Sequence, residues 1–267
     1  MKMRRDSFVH DGLKLSYLDA GGDGAALIAL HSHWMEGATF APLAEALAVA
    51  PAAAPASANG WRVIALDQRG HGDSDHAATY ARADYLGDLR ALYAHLGISR
   101  AVLLGNSLGG VNAYQFAAKY PSMVRGLIIE DIGAVINDDT SFALAWAGTF
   151  PTRAALLEKI GPRFLPFLQD SFREVPGGGW RLAFEPAEMV ASQLSLNGDH
   201  WDDWLASTCP ALVIRGGESR VTKAEHLEEM ARRRANTQLR VVPGGHVVHF
   251  DNFAGFTEAV REFLREV

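Results

Sequence analysis

The sequence predicts a doubly wound, mostly parallel α/β sheet with a helical insertion. Two observations carry that prediction. Short, continuously apolar runs alternate with amphipathic stretches over residues 25–130 and again from 211 onward, as buried parallel strands and their crossover helices do. Between them, residues 134–207 break the rhythm with helical stretches and many aromatics and no clear strand run.

The elements follow in order. Ser7–His10 and Leu13–Asp19 read as an N-terminal hairpin broken at Asp11-Gly12. Ala25–Leu30 is a buried strand, and Phe40–Val49 has helical spacing with Leu43, Ala44 and Leu47 on one face. Pro51 and Pro55 then stop that helix, so VAPAAAPASANG (residues 49–60) reads as an exposed loop. Strands at Arg62–Leu66, Arg100–Leu104 and Leu127–Glu130 alternate with helices at Arg82–Leu96 and Leu108–Tyr120, the latter ended by Pro121. After the insertion come strand Ala211–Arg215, helix 223–235, strand Leu239–Val242 and a last amphipathic helix, Phe253–Val267. The expected organisation is a core domain of residues 1–133 and 208–267 with a helical cap at 134–207.

Composition narrows the class of function. A net charge of −6 over 267 residues, with only short basic runs at Arg4-Arg5 and Arg232–Arg234, disfavours nucleic acid as a partner. The single cysteine, Cys209, allows no intrachain disulfide, and its strand-edge setting suits a buried spacer better than a nucleophile. The N-terminus has no apolar signal-peptide core and no run is long enough to span a membrane. The expectation is a cytoplasmic protein with a small-molecule substrate and no membrane partner; the composition leaves the oligomeric state open.

Four stretches carry chemistry. AVLLGNSLGG (101–110) is strand, then Gly105-Asn106-Ser107-Leu108-Gly109, then helix. A nucleophile elbow needs small residues on both sides of its serine, because strand and helix pass closely and Oγ must stand exposed above the sheet. A helix N-cap serine in a Gly-rich turn is the bland alternative. VVPGGHVVHF (241–250) presents His246 at a strand's carboxyl end, where it can take and return a serine proton; His249 is the lesser candidate.

LIALHSHWMEG (27–37) supplies His31, Ser32, His33 and Trp34 after a strand. Acyl transfer needs two backbone N–H donors for the developing oxyanion; Leu108 and His33 are the candidates. DQRGHGDSD (67–75) reads as a hydrogen-bonded structural loop, with His71 between glycines in a tight turn. The expected substrate pocket involves His31, Trp34, Asn106 and Trp146. The histidines show no helical ligand pair with a glutamate base, so no metal is expected.

With His31, the Asp67–Asp75 loop, Gly105–Gly110 and Gly245-His246 in this order, the chain resembles the α/β-hydrolase superfamily over nearly its whole length. It departs from the family pattern in two places. The first loop usually reads His-Gly, and here Ser32 replaces the glycine. In many members the acid is an Asp in the loop after the strand that is Ala211–Arg215 here, and that position falls on Ser219.

The acid therefore has to be located. Glu218 lies one residue early, with a longer reach. Asp131, at the end of VRGLIIEDIGA (124–134), is the leading candidate, because some small esterases resemble this chain in carrying the acid after that strand. Glu130 also stands there. Two acids ending an apolar strand need partners if buried, and orienting His246 supplies one; capping the insertion's first helix is the alternative for Asp131. Ser219 then becomes an auxiliary residue within reach of Asp131 or His246.

The resemblance implies a cofactor-independent serine hydrolase cleaving an ester or related acyl bond of a small, largely apolar substrate. Carbon–carbon bond hydrolases, lactonases and perhydrolases use similar residues. A non-catalytic small-molecule binder on the same scaffold is the alternative from another class. A carboxylate-nucleophile dehalogenase or epoxide hydrolase is disfavoured by Ser107.

Overall fold

The computed structural model describes residues 3–48 and 60–267. Most of the loop expected at 49–60 lies outside the described residues. Eight strands form one sheet: β1 (Arg4–His10), β2 (Leu13–Asp19), β3 (Ala26–Leu30), β4 (Arg62–Leu66), β5 (Ala101–Asn106), β6 (Val124–Glu130), β7 (Ala211–Gly216) and β8 (Thr237–Val242). Their order is β1-β2-β4-β3-β5-β6-β7-β8. The hairpin β1–β2 joins β4 antiparallel, and every later pairing is parallel.

The inner strands are buried on both faces, which is why they read as unbroken apolar runs. Alternate residues of β3 divide between two cores: Ile28 and Leu30 belong to one, Leu27 and Ala29 to the other. The first is covered by α2 (Arg82–Leu96), α3 (Leu108–Lys119) and α7 (Ala224–Arg233), the second by α1 (Ala41–Leu47) and α8 (Phe253–Leu264). The sheet is doubly wound, as expected.

The chain leaves β3 for β4 on one side and then returns past it to β5 on the other, so strand order reverses between β3 and β5. At such a switch the loops after neighbouring strands diverge and leave a crevice at the carboxyl edge. Register brings Leu30 beside Gly105, Asn106 beside Glu130, and Glu130 beside Ile214. The segments after β3, β5, β6 and β7 therefore open onto one edge.

Residues between β6 and β7 add no strand to this sheet. They contain α4 (Arg153–Ile160), α5 (Pro186–Leu196) and α6 (Trp201–Ala206). They also form two small antiparallel ribbons, Val135–Ile136 with Gly198–Asp199 and Phe172–Glu174 with Trp180–Leu182. The sequence predicts no strand here; pieces of two or three residues are too short to display a two-residue alternation. Among the described residues no helix is long and apolar enough to cross a membrane.

Candidate active site

Ser107 occupies the tight junction between β5 and α3, at φ 51° and ψ −116°. A non-glycine residue at positive φ is held there by its surroundings. Its N–H donates to Glu130 O at 3.3 Å, and its carbonyl accepts from Gly110 and Val111 as the helix begins. The flanking glycines are required sterically. A Cβ on Gly105 would lie 2.2 Å from the Gly109 carbonyl carbon, and one on Gly109 would lie 2.0 Å from Leu30 O. Strand and helix approach too closely for any side chain.

Ser107 and His246 line the same cavity, of about 570 Å³, at the carboxyl edge. His246 Nδ1 lies 2.8 Å from Asp131 Oδ2. In the tautomer whose Nδ1–H donates to that carboxylate, Nε2 keeps its lone pair free. Asp131 is fully buried and takes φ 49°, immediately after β6. Gly216 N–H donates to its Oδ1 at 3.0 Å and Ser219 Oγ to its Oδ2 at 2.5 Å, while Thr222 Oγ1 donates to the Asp131 carbonyl at 2.8 Å and lies 3.3 Å from Oδ2. The structure thus brings Asp131, Ser219 and His246 together. Glu218 is exposed at the cavity rim and, among the described residues, forms no hydrogen bond or ion pair with His246. The His246 loop is itself tied down by Asp251, whose Oδ2 accepts from Gly245 N at 2.7 Å.

Glu130 sits one residue before Asp131 and serves a different partner. Its carboxylate accepts from His249 N–H at 2.9 Å and lies 2.8 Å from His249 Nδ1, while His249 Nε2 meets Thr39 Oγ1 at 2.9 Å. All three of these residues are buried. Adjacent acids of one strand end therefore bind two histidines three residues apart, His246 at the cavity and His249 in the interior.

The loop after β3 forms the other wall. Ser32, His33, Trp34 and Met35 line the cavity with Ser107. Leu108 opens α3, where a first-turn N–H has no acceptor within the helix. The residue in the left-handed region of the β3 loop is Trp34, at φ 69°, and Ser32 is not among the positive-φ residues. Serine in place of the family's usual glycine is therefore compatible with the backbone here.

His31 and Asn106, expected in the pocket wall, lie beneath it. His31 is fully buried, with Nδ1 2.7 Å from Ser32 O and Nε2 accepting from Gln68 N–H at 3.0 Å. Burial pushes its pKa down to about 4, so it is neutral at physiological pH. Asn106 is also fully buried, and its Nδ2 donates to Glu130 O and His246 O, both at 3.2 Å. It ties β5 to the end of β6 and to the His246 loop. Trp34 does line the cavity; Trp146 stands behind it, with ring centroids 5.4 Å apart.

The Asp67–Asp75 loop is structural. Asp67 accepts from Gly37 N and Asp73 N and pairs with Arg5, and Arg69 forms a two-pronged pair with Asp88 at 2.7 and 2.9 Å. His71 is fully buried and packs edge-on against His31 at 4.9 Å. Its pKa, like that of His33, is held well below the ordinary value by burial. Sequence reasoning missed Thr222, Thr39 and two serines of the insertion, Ser171 and Ser192, because isolated hydroxyl residues carry no spacing signal.

A positive-φ serine between strand and helix shares a crevice with an Asp-bound histidine at the carboxyl edge of the sheet. Comparison with known proteins gives the class. The family described as "alpha/beta hydrolase fold" matches residues 26–253, so the chain belongs to the α/β-hydrolase family and is a hydrolase. It is 30% identical to the 2-(acetamidomethylene)succinate hydrolase of Mesorhizobium japonicum over 236 residues, covering 84% of this chain and 81% of that one. It is 28% identical to the mouse sn-1-specific diacylglycerol lipase ABHD11, covering 94% of this chain and 85% of that one. The crystal structure of E-2-(acetamidomethylene)succinate hydrolase superposes with a TM-score of 0.85 at 26% identity, over 98% of this chain and 99% of the other.

Proposed function

We propose that this hydrolase is a cofactor-independent serine enzyme that cleaves an ester or related acyl bond of a small, largely apolar substrate. The observation that carries the reading is the contact between His246 Nδ1 and Asp131 Oδ2, in a loop that borders the same cavity as Ser107. Ser107 Oγ attacks the carbonyl carbon and its proton passes to His246 Nε2, while the carbonyl π pair moves onto oxygen. The N–H groups of His33 and Leu108 receive that oxyanion. Collapse expels the leaving group, which takes the proton from His246. Water then repeats the sequence on the acyl-enzyme and frees the acid. Asp131 orients His246 and stabilises its imidazolium without itself taking the proton.

The insertion lids the site in this reading, with Trp34, Phe142, Phe164 and Phe167 giving the cavity an apolar wall. Neutral p-nitrophenyl esters of increasing acyl length test it. Turnover should be measurable for wild type and fall to background in Ser107→Ala. Equal turnover in the two proteins would refute the assignment.

One observation favours a second substrate class on the same machinery. Arg163 and Arg220 line the cavity, and among the described residues neither forms an ion pair. A relative named for hydrolysing 2-(acetamidomethylene)succinate acts on a substrate that bears carboxylates and an amide. Adding carboxylate-bearing amides, esters and lactones to the screen separates the classes: a preference for the acidic compounds that disappears in Arg163→Gln or Arg220→Gln would select this one.

A further inference from the structure

The β3 loop is fastened to the insertion at three of its residues. His33 Nε2 meets Ser192 Oγ at 2.8 Å, and the same hydroxyl meets Tyr85 OH at 2.7 Å. Ser171 Oγ donates to Trp34 O at 2.7 Å. Arg173 Nη2 donates to Glu36 Oε2 at 2.7 Å. Ser171 and Ser192 are both buried, so each hydroxyl is committed to its partner.

The fastened segment is also the strained one. Trp34 holds φ 69°, a conformation in which a bulky residue persists only when its surroundings impose it. Those surroundings come from the insertion. The Trp34 ring packs edge-on against Phe142, Trp146 and Phe164 at 5.6, 5.4 and 5.8 Å, and its carbonyl is the acceptor of Ser171. His33 lies between β3 and this strained residue, with its side chain held by α5.

We propose that Ser171 and Ser192 are positioning residues for the oxyanion site: by holding Trp34 O and the His33 ring, they fix the direction of the His33 N–H. This rests on the serine-hydrolase reading above. The insertion is then more than a lid. Its docking completes the oxyanion site, and its departure releases Trp34 to an ordinary conformation and turns the His33 N–H away. The remaining ties between insertion and core, such as Ser195 Oγ to Tyr80 O at 2.6 Å and Tyr80 OH to Glu188 at 2.6 Å, do not touch this loop. Single serine replacements therefore loosen the loop while the insertion stays docked.

The test uses Ser171→Ala, Ser192→Ala and the conservative Ser171→Thr. Each is assayed with a short p-nitrophenyl ester and with a trifluoromethyl ketone. Ser107 Oγ adds to the ketone carbon, its proton passes to His246, and the carbonyl electrons become the oxyanion, so ketone affinity reads the oxyanion site. The proposal expects kcat to fall about 10–100-fold, KM to stay within about twofold, and ketone affinity to drop by the same factor as kcat. Ser171→Thr should restore most of both. Among the described residues the Ser171 hydroxyl hydrogen-bonds only to the Trp34 carbonyl, so its variants keep the test decisive if Ser192→Ala fails to fold.

A raised KM with unchanged kcat, or ketone affinity equal to wild type, would overturn the proposal and leave the insertion as a shield. If wild type neither turns over esters nor reacts with an activated fluorophosphonate, the hydrolase reading itself fails and takes this inference with it. Wild-type reactivity matched by the serine variants defeats this inference alone.

Discussion

Asp131 Oδ2 stands 2.8 Å from His246 Nδ1, and the aspartate reaches it from the end of β6 rather than from the loop after β7. The neighbouring strand end keeps a hydroxyl, Ser219, on the same carboxylate oxygen at 2.5 Å. Gly216 N–H meets the other carboxylate oxygen at 3.0 Å, so both oxygens are hydrogen-bonded in the interior.

Replacing this carboxylate should therefore stop turnover. Asp131→Asn is expected to lower kcat about 10³–10⁴-fold, while Glu218→Gln stays within about twofold. Steady-state kinetics on one activated ester decide between them, and the opposite ranking would move the acid to the β7 loop.

Glu130 carries stability rather than the reaction. Glu130→Ala leaves the ring and backbone N–H of His249 facing a buried void, an expected loss of about 3 kcal/mol. Glu130→Gln keeps an acceptor and should lose about half as much. Urea unfolding measures both; a loss below about 1 kcal/mol for the alanine variant would contradict the buried pairing.

Histidine burial sets an acid limit. His31 titrates near 6.5 in the unfolded chain, and its folded pKa is pushed down to about 4. The folded state binds the proton less readily, so this group's contribution is complete above about pH 6.5 and is lost as pH falls toward 4. His33 and His71 act in the same direction. At pH 5 His31 alone should account for about 2 kcal/mol of lost stability. Unfolding of His31→Asn and wild type at pH 7.5 and 5 reads the difference. Parallel losses would mean that His31 protonates freely in the folded protein.

The turn around Ser107 leaves no room for a Cβ on its glycines. Gly109→Ala would place a methyl 2.0 Å from Leu30 O, so the helix must shift or the strand must move. A loss of about 1–3 kcal/mol is expected, with turnover reduced further than stability, because the shift displaces Ser107. Thermal melts with parallel ester assays check this. A variant with wild-type turnover would show that the approach is looser than described.

Much of the fold and the site is legible in the residues themselves. β3, β4 and β7 can be read because burial on both faces leaves unbroken apolar runs, and Gly105–Gly109 because close packing excludes side chains. Asp131 stands out because Ser219 occupies the acid's usual place and two acids close an apolar strand. Other features leave no local trace. β6 begins three residues earlier than expected, at Val124, because pairing with β5 carries it through Arg125 and Gly126 despite their polarity and flexibility. His31 and Asn106 look like pocket residues from their loop positions; only the register of β3, β5 and β6 places them below the cavity floor. Ser171 and Ser192 reach the β3 loop through tertiary contacts alone.

The most direct measurement is the intact mass of the protein after brief exposure to a fluorophosphonate, with peptide mapping of the adduct. One adduct on Ser107 is expected in wild type, none in Ser107→Ala, and strongly slowed labelling in Asp131→Asn. An adduct on another residue, or labelling of Ser107→Ala at the wild-type rate, would contradict the role given to Ser107.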